Sequence, residues 1–232
     1  MENKNLKRGS VWRKWDLHIH PPFTKSNDQY IAENEDSKWN LFCEAIESSD
    51  VAVFGITDYF SVENYILFFQ KFKSKYPNSE KIFFPNIEFR IDSKNKEDDH
   101  IQFHVIFSNQ EKTLKKLNDF FTRLELVSTD NVNLTNKYCT ESDLQEITFD
   151  KAMVKIDVLE KQLKSDFSNS EYLIVGVARG YGSLRPGIDD SRGNEYAKEL
   201  DKKCKLFFGS SKDTDFFLNK FENFRIIGLS SG

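Results

Sequence analysis

Hydrophobic and polar positions along the chain follow two periods. Short runs that alternate or stay continuously apolar, each closed by turn residues, occur at residues 14–20 (KWDLHIH), 51–59 (VAVFGITDY), 81–91 (KIFFPNIEFRI), 100–108 (HIQFHVIFS), 171–180 (EYLIVGVARG), 205–210 (KLFFGS) and 224–231 (FRIIGLSS). Those seven runs are expected to be strands. Between most of them the apolar residues recur at helical spacing, at residues 37–49, 61–77, 111–126, 147–167, 194–203 and 213–222, and these are expected to be helices. Ser61, with Asn64 at the third helical position, is the expected N-cap of the second helix, and Asp213 that of the last. Strands alternating with helices of this length predict an α/β fold whose sheet is parallel, either open or closed into a barrel. Residues 128–143 carry the weakest pattern and are expected to leave the barrel without forming a second domain. There is no repeat, low-complexity tract or Gly/Ser linker, so the 232 residues are expected to form one domain.

Composition narrows the function classes. The chain has 33 Lys+Arg against 37 Asp+Glu, a net charge of −4, so no global basic field attracts nucleic acid and any polyanion would need a local patch. Cys43, Cys139 and Cys204 are far apart and lack CxxC spacing, which argues against a disulfide framework or a thiolate zinc site and fits a reducing cytoplasm. No apolar run approaches the roughly 20 residues of a membrane span, and the polar start MENKNLKRGS has no signal-peptide core. The 22 phenylalanines fall largely in periodic apolar segments and are expected in the core.

Chemistry concentrates at the ends of the expected strands. Two of the four histidines stand one residue apart in KWDLHIH. On a regular strand Asp16, His18 and His20 share a face, with neighbours about 6.5–7 Å apart, close enough for two imidazoles to lean onto one ion. The alternative is a half-buried strand that happens to carry polar residues. Ligands of α/β folds bind at the carboxyl ends of the strands. There His18 and His20 end the first strand, Asp58 ends the second, Glu88 lies near the end of the third and His104 lies within the fourth. Each has a structural alternative: Asp58 as a helix cap, Glu88 as the partner of an arginine, His104 as a satisfied core histidine. His100, at the start of its strand, is expected at the opposite end of the barrel and is read as structural. After the fifth strand, ARGYGSLRPG supplies Arg179, Tyr181 and Arg185 as candidates for phosphate binding, Arg179 foremost because a guanidinium can bind phosphate bidentately. The alternative there is an ordinary solvated loop.

The segments DLHIHPPF, GITDYFSVENY, NIEFRI and FHVIF, in that order, resemble the polymerase-and-histidinol-phosphatase (PHP) superfamily, and most of all the branch in which a PHP domain precedes an AAA/SMC-like ATPase. The resemblance implies a distorted (β/α)7 TIM-like barrel that holds divalent metal ions (Zn, Mn or Fe) and hydrolyses phosphoesters. It matches His18 and His20 to first-metal ligands, Glu88 to a bridging carboxylate, His104 to a second-metal ligand and Asp58 to the Thr-Asp position, where it would act in catalysis with Arg179. Three departures go with it. Tyr59 stands where many relatives have a third-metal histidine, and Arg179 where a second-metal histidine is common. The chain stops at IIGLSSG, where relatives continue into Gly-Ser-Asp-x-His, so the barrel is expected to be C-terminally incomplete. The resemblance thus implies a two-metal phosphoesterase of nuclease type in a nucleic-acid-processing or phage-defence system, with an ATPase domain or subunit as partner and nucleic acid or a nucleotide as substrate. The alternative is a degenerate, non-catalytic barrel that regulates or assembles the ATPase.

Overall fold

The computed structural model describes residues 13–26, 28–130, 136–178, 182–183, 195–209 and 225–228. All seven expected strands form: β1 (Lys14–Ile19), β2 (Val51–Tyr59), β3 (Ile82–Lys94), β4 (His100–Phe107), β7 (Tyr172–Val177), β8 (Leu206–Gly209) and β9 (Arg225–Gly228). They make one sheet in the order β1-β2-β3-β4-β7-β8-β9, while β5 (Val127–Ser128) and β6 (Ala152–Met153) pair separately. Among the described residues six helices pack with them: α1 (Glu35–Ser48), α2 (Glu63–Lys75), α3 (Glu111–Phe121), α4 (Glu141–Ile147), α5 (Ile156–Asp166) and α6 (Glu195–Lys203). The expected helix at 213–222, and Asp213 with it, lies outside the described residues.

The sheet is not wholly parallel. β1, β2 and β3 run parallel, as do β7, β8 and β9, but β4 is antiparallel to both β3 and β7. Only residues 95–99 join β3 to β4, too few for the dozen or more that a parallel crossover needs. A hairpin results, closed by Asn95, whose side-chain oxygen accepts from Glu97 N and Asp99 N. This reversal corrects the expectation for His100: it pairs with Lys94, beyond Glu88 along β3, and so lies toward the carboxyl end of β3 instead of the opposite end.

Other differences are local. The expected helix at 147–167 begins only at Ile156. Thr148 adopts φ 73°, Phe149–Lys151 form a 3-10 turn, and Val154 N then donates to Arg90 O while Asp92 N donates to Val154 O, so this stretch runs along β3. The helix expected over 111–126 stops at Phe121 because Leu126 N bonds to Lys137 O in an extended segment. At α2 the cap position falls on Val62 without a side-chain bond, and Ser61 Oγ accepts instead from Glu63 N.

The sheet is curled into a half barrel. Four strands separate β1 from β8 in the order of the sheet, yet the ring of His18 stacks on that of Phe208 at 5.4 Å. Among the described residues two apolar cores result. The larger lies between the sheet and the helices and holds Trp39, Phe42, Phe68, Phe72, Phe89, Phe103, Phe120 and Leu159, all buried. The smaller fills the concave side with Leu17, Val53, Ile106, Val175 and Phe208. Burial of about 25 cal/mol per Å2 of apolar surface makes these cores the main source of stability. The inner one is also the floor on which the polar cluster stands.

Candidate metal centre

Alternation along β2 and β3 selects what faces the concave side. Thr57 pairs in register with Asn86 and Tyr59 with Glu88, so these four side chains stand together above the apolar floor, and His104, opposite Glu88 on β4, joins them. His18 and His20 arrive from the carboxyl end of β1. Their Nε2 atoms are 3.1 Å apart, and Glu88 Oε2 lies 3.6 Å from the first and 3.8 Å from the second. One donor atom from each of His18, His20 and Glu88 falls within 4.8 Å of the others, a spacing that can hold a metal ion. His104 lies against them, its ring centroid 4.5 Å from that of His18.

The donor set fits a cation. Among the described residues, Glu88 Oε2 and His104 Nε2 are buried without a hydrogen-bond partner. A buried acceptor left unpaired costs free energy, and a cation bound by His18, His20 and Glu88 would satisfy Glu88 Oε2. The electrostatics keep the imidazoles of His20 and His104 as neutral donors. Burial, with His18 as the next contribution, pushes the pKa of His20 down to about 4 against the opposing pull of Glu88. Burial first, then His18 and His20, holds that of His104 well below the ordinary histidine range. Neutral imidazole is the form that ligates metal. The rings are also fixed from behind. Tyr59 stacks on His20 at 5.1 Å, Tyr30 Oη donates to His20 O, and Phe208 packs edge-on to His104 at 4.9 Å.

Not every expected residue joins the cluster. Asp16 does not share a face with His18 and His20, because the pairing of β1 with β2 slips between Asp16 and Ile19. This bulge turns Leu17 into the concave core and leaves Asp16 Oδ1 accepting from His18 N. Asp58 lies between Thr57 and Tyr59 and therefore projects to the other face of β2. There its carboxylate accepts from Tyr59 N at 2.8 Å and from Asn64 Nδ2 at 2.7 Å, and Asn64 Nδ2 also donates to Phe23 O. It thus ties the start of α2 to the loop after β1. Glu88 sits mid-strand, since β3 continues to Lys94. Among the described residues, the groups in ion-pair range of its carboxylate are His18 and His20, while Arg90 Nη1 donates to the carbonyls of Phe149, Asp150 and Ala152. Arg179, Tyr181 and Arg185 lie outside the described residues.

Sequence reasoning passed over three contributors. Asn86 and Thr57 support His104 from below, and Phe208 closes the site from β8. Asn86 did carry a signal: asparagine is depleted within strands, and it precedes Glu88 by two on the same face. Nothing local marks Phe208, whose role depends on the curl of the sheet. No family model matches the chain, and no curated protein matches it.

Proposed function

We propose that the chain is a PHP-type, metal-dependent phosphoesterase domain that cleaves phosphodiesters of nucleic acid, working with an AAA/SMC-like ATPase domain or subunit in nucleic-acid processing or phage defence. The observation that carries the metal part of this reading is the convergence of His18, His20 and Glu88 within bonding reach of one ion, with two buried acceptors unpaired. In this reading His18, His20 and Glu88 hold a first divalent ion, and Glu88 with His104 holds a second. Such ions would supply Lewis acidity, polarising a phosphoryl group and acidifying water. The chain's own residues then orient the site. Phe208 and the apolar floor exclude water from below, Tyr59 fixes the plane of His20, and Glu88 supplies an oxygen donor at the centre. Zn, Mn and Fe all suit mixed His/carboxylate donors, and the buried thiols fit a reducing cytoplasm.

Against the net charge of −4, binding of a nucleic acid needs a local patch or the partner ATPase. Hydrolysis of a generic phosphodiester, a phosphomonoester and single-stranded DNA and RNA by the protein loaded with Zn or Mn tests the reading, with chelation as the control. Metal-dependent turnover of a diester is the expected result, and it should fall steeply with salt for the polymers. A second reading, that of a non-catalytic module, has one observation in its favour. The donors come from β1, β3 and β4, whereas β7 and β8 face the concave side with Val175 and Phe208. Metal retention without turnover of any of these substrates would select it.

A further inference from the structure

The amide of Asn86 is fixed in one orientation by its neighbours. One end of its carboxamide lies 2.8 Å from Leu17 O and 2.8 Å from Thr57 Oγ1. A backbone carbonyl can only accept, so the group facing it must be the NH2. The hydroxyl of Thr57 is directed to Gly55 O at 3.3 Å, which leaves its lone pair for the same NH2. The reverse orientation would set two oxygens 2.8 Å apart in a fully buried place and leave the amide donors unmade. The other end of the carboxamide is therefore an acceptor, and it lies 3.2 Å from Nδ1 of the fully buried His104. That nitrogen must carry a proton to bond to it. In a neutral imidazole the proton is then absent from Nε2, and Nε2 is the buried atom without a partner.

We propose that Asn86 is a positioning residue that locks His104 in the Nδ1–H tautomer, so that its Nε2 lone pair is held ready as a further metal donor beside His18, His20 and Glu88. The inference rests on the metal reading of the cluster for its purpose, though the tautomer itself does not. A metal-ligating histidine commonly donates its second N–H to a carbonyl or carboxylate, which sets ring orientation and ligand strength. Here a side-chain amide does this, itself tethered to β1 through Leu17 and to β2 through Thr57. The strand that brings His18 thereby also orients His104.

Long-range 1H–15N spectra of the metal-free, histidine-labelled full chain at neutral pH read the tautomer directly. The expected result is a His104 ring protonated at Nδ1 and bare at Nε2. Protonation at Nε2, or at both nitrogens, would overturn the proposal. Asn86→Ala, with its fold checked by circular dichroism, should lose the single tautomer and bind Zn about 10- to 100-fold more weakly in chelator competition. A folded Asn86→Ala that keeps both the tautomer and the wild-type Zn affinity would likewise overturn it. Failure of the wild type to bind Zn would sink the metal reading while leaving the tautomer result to judge Asn86 on its own.

Discussion

Half-buried His20 and buried Asp58 are two titratable groups whose pKa values move in opposite senses, and each gives a pH-dependent prediction. The pKa of His20 falls to about 4, from 6.5, chiefly through burial. Between those values the unfolded chain takes up a proton that the fold refuses, so stability present above about 6.5 is lost as pH falls toward 4. The size is on the order of 3 kcal/mol at about 1.4 kcal/mol per unit. Denaturant unfolding of the metal-free protein at pH 7.5 and pH 5 should show about two thirds of this loss, roughly 2 kcal/mol, and His20→Gln should show less of it. The carboxyl of Asp58 is pushed up to about 6 by burial, against the stabilising Tyr59 N–H and Asn64 amide. Its contribution has the opposite sign: it is full below about 4 and is lost as pH rises through 6. Asp58→Asn should be less stable at every pH, because the new amide meets that of Asn64. The gap from the wild type should narrow between pH 4 and 6, as unfolding curves across that range would show.

At the scale of elements, the site depends on how closely β1 crosses β2. A Cβ placed on Gly55 would lie 2.1 Å from Leu17 O and 2.8 Å from Leu17 Cα, both backbone atoms that cannot turn aside. Gly55→Ala should therefore push β1 away, costing on the order of 2–3 kcal/mol and separating His18 from Glu88. Thermal unfolding and Zn affinity measured on the same sample check both effects. A second anchor lies at the start of β7. Buried Glu171 accepts from Ser168 N at 2.9 Å, from Thr113 Oγ1 at 2.9 Å and from Lys116 Nζ at 3.1 Å, and these bonds, the Ser168 N–H foremost, hold its pKa down at about 2. The stability it confers is full above about 4.5 and is lost as pH falls toward 2. Glu171→Gln should cost on the order of 2 kcal/mol at pH 7 by denaturant titration. The strands themselves were legible in the sequence, because period-two and continuously apolar runs survive whatever the topology. The direction of β4 was not read, although the five-residue link at 95–99 carried that information. The bulge at Asp16 was not legible at all, since it follows from the approach of Leu17 to Gly55 across two strands. Over 147–155 a helical spacing of apolar residues was overridden by pairing with β3.

Across the whole molecule, a half-barrel sheet stacks three layers on its concave side: an apolar floor of Leu17, Val53, Ile106, Val175 and Phe208, a buried polar tier of Thr57, Asn86 and His104, and the converging His18, His20 and Glu88. No helix of the described residues is long and apolar enough to cross a membrane. The sequence placed the four candidate donors, His18, His20, Glu88 and His104, on three strands that the fold brings together, while the supporting tier needed the three-dimensional register. The central claim is that this stack is a metal centre. Its most direct test is elemental analysis of the wild-type chain and of His18→Ala/His20→Ala, each loaded with Zn or Mn and then dialysed exhaustively, with circular dichroism to confirm that both remain folded. At least one equivalent of metal retained by the wild type and lost from the double variant is the predicted result. A wild type that retains none, or a folded double variant that retains as much, would contradict it.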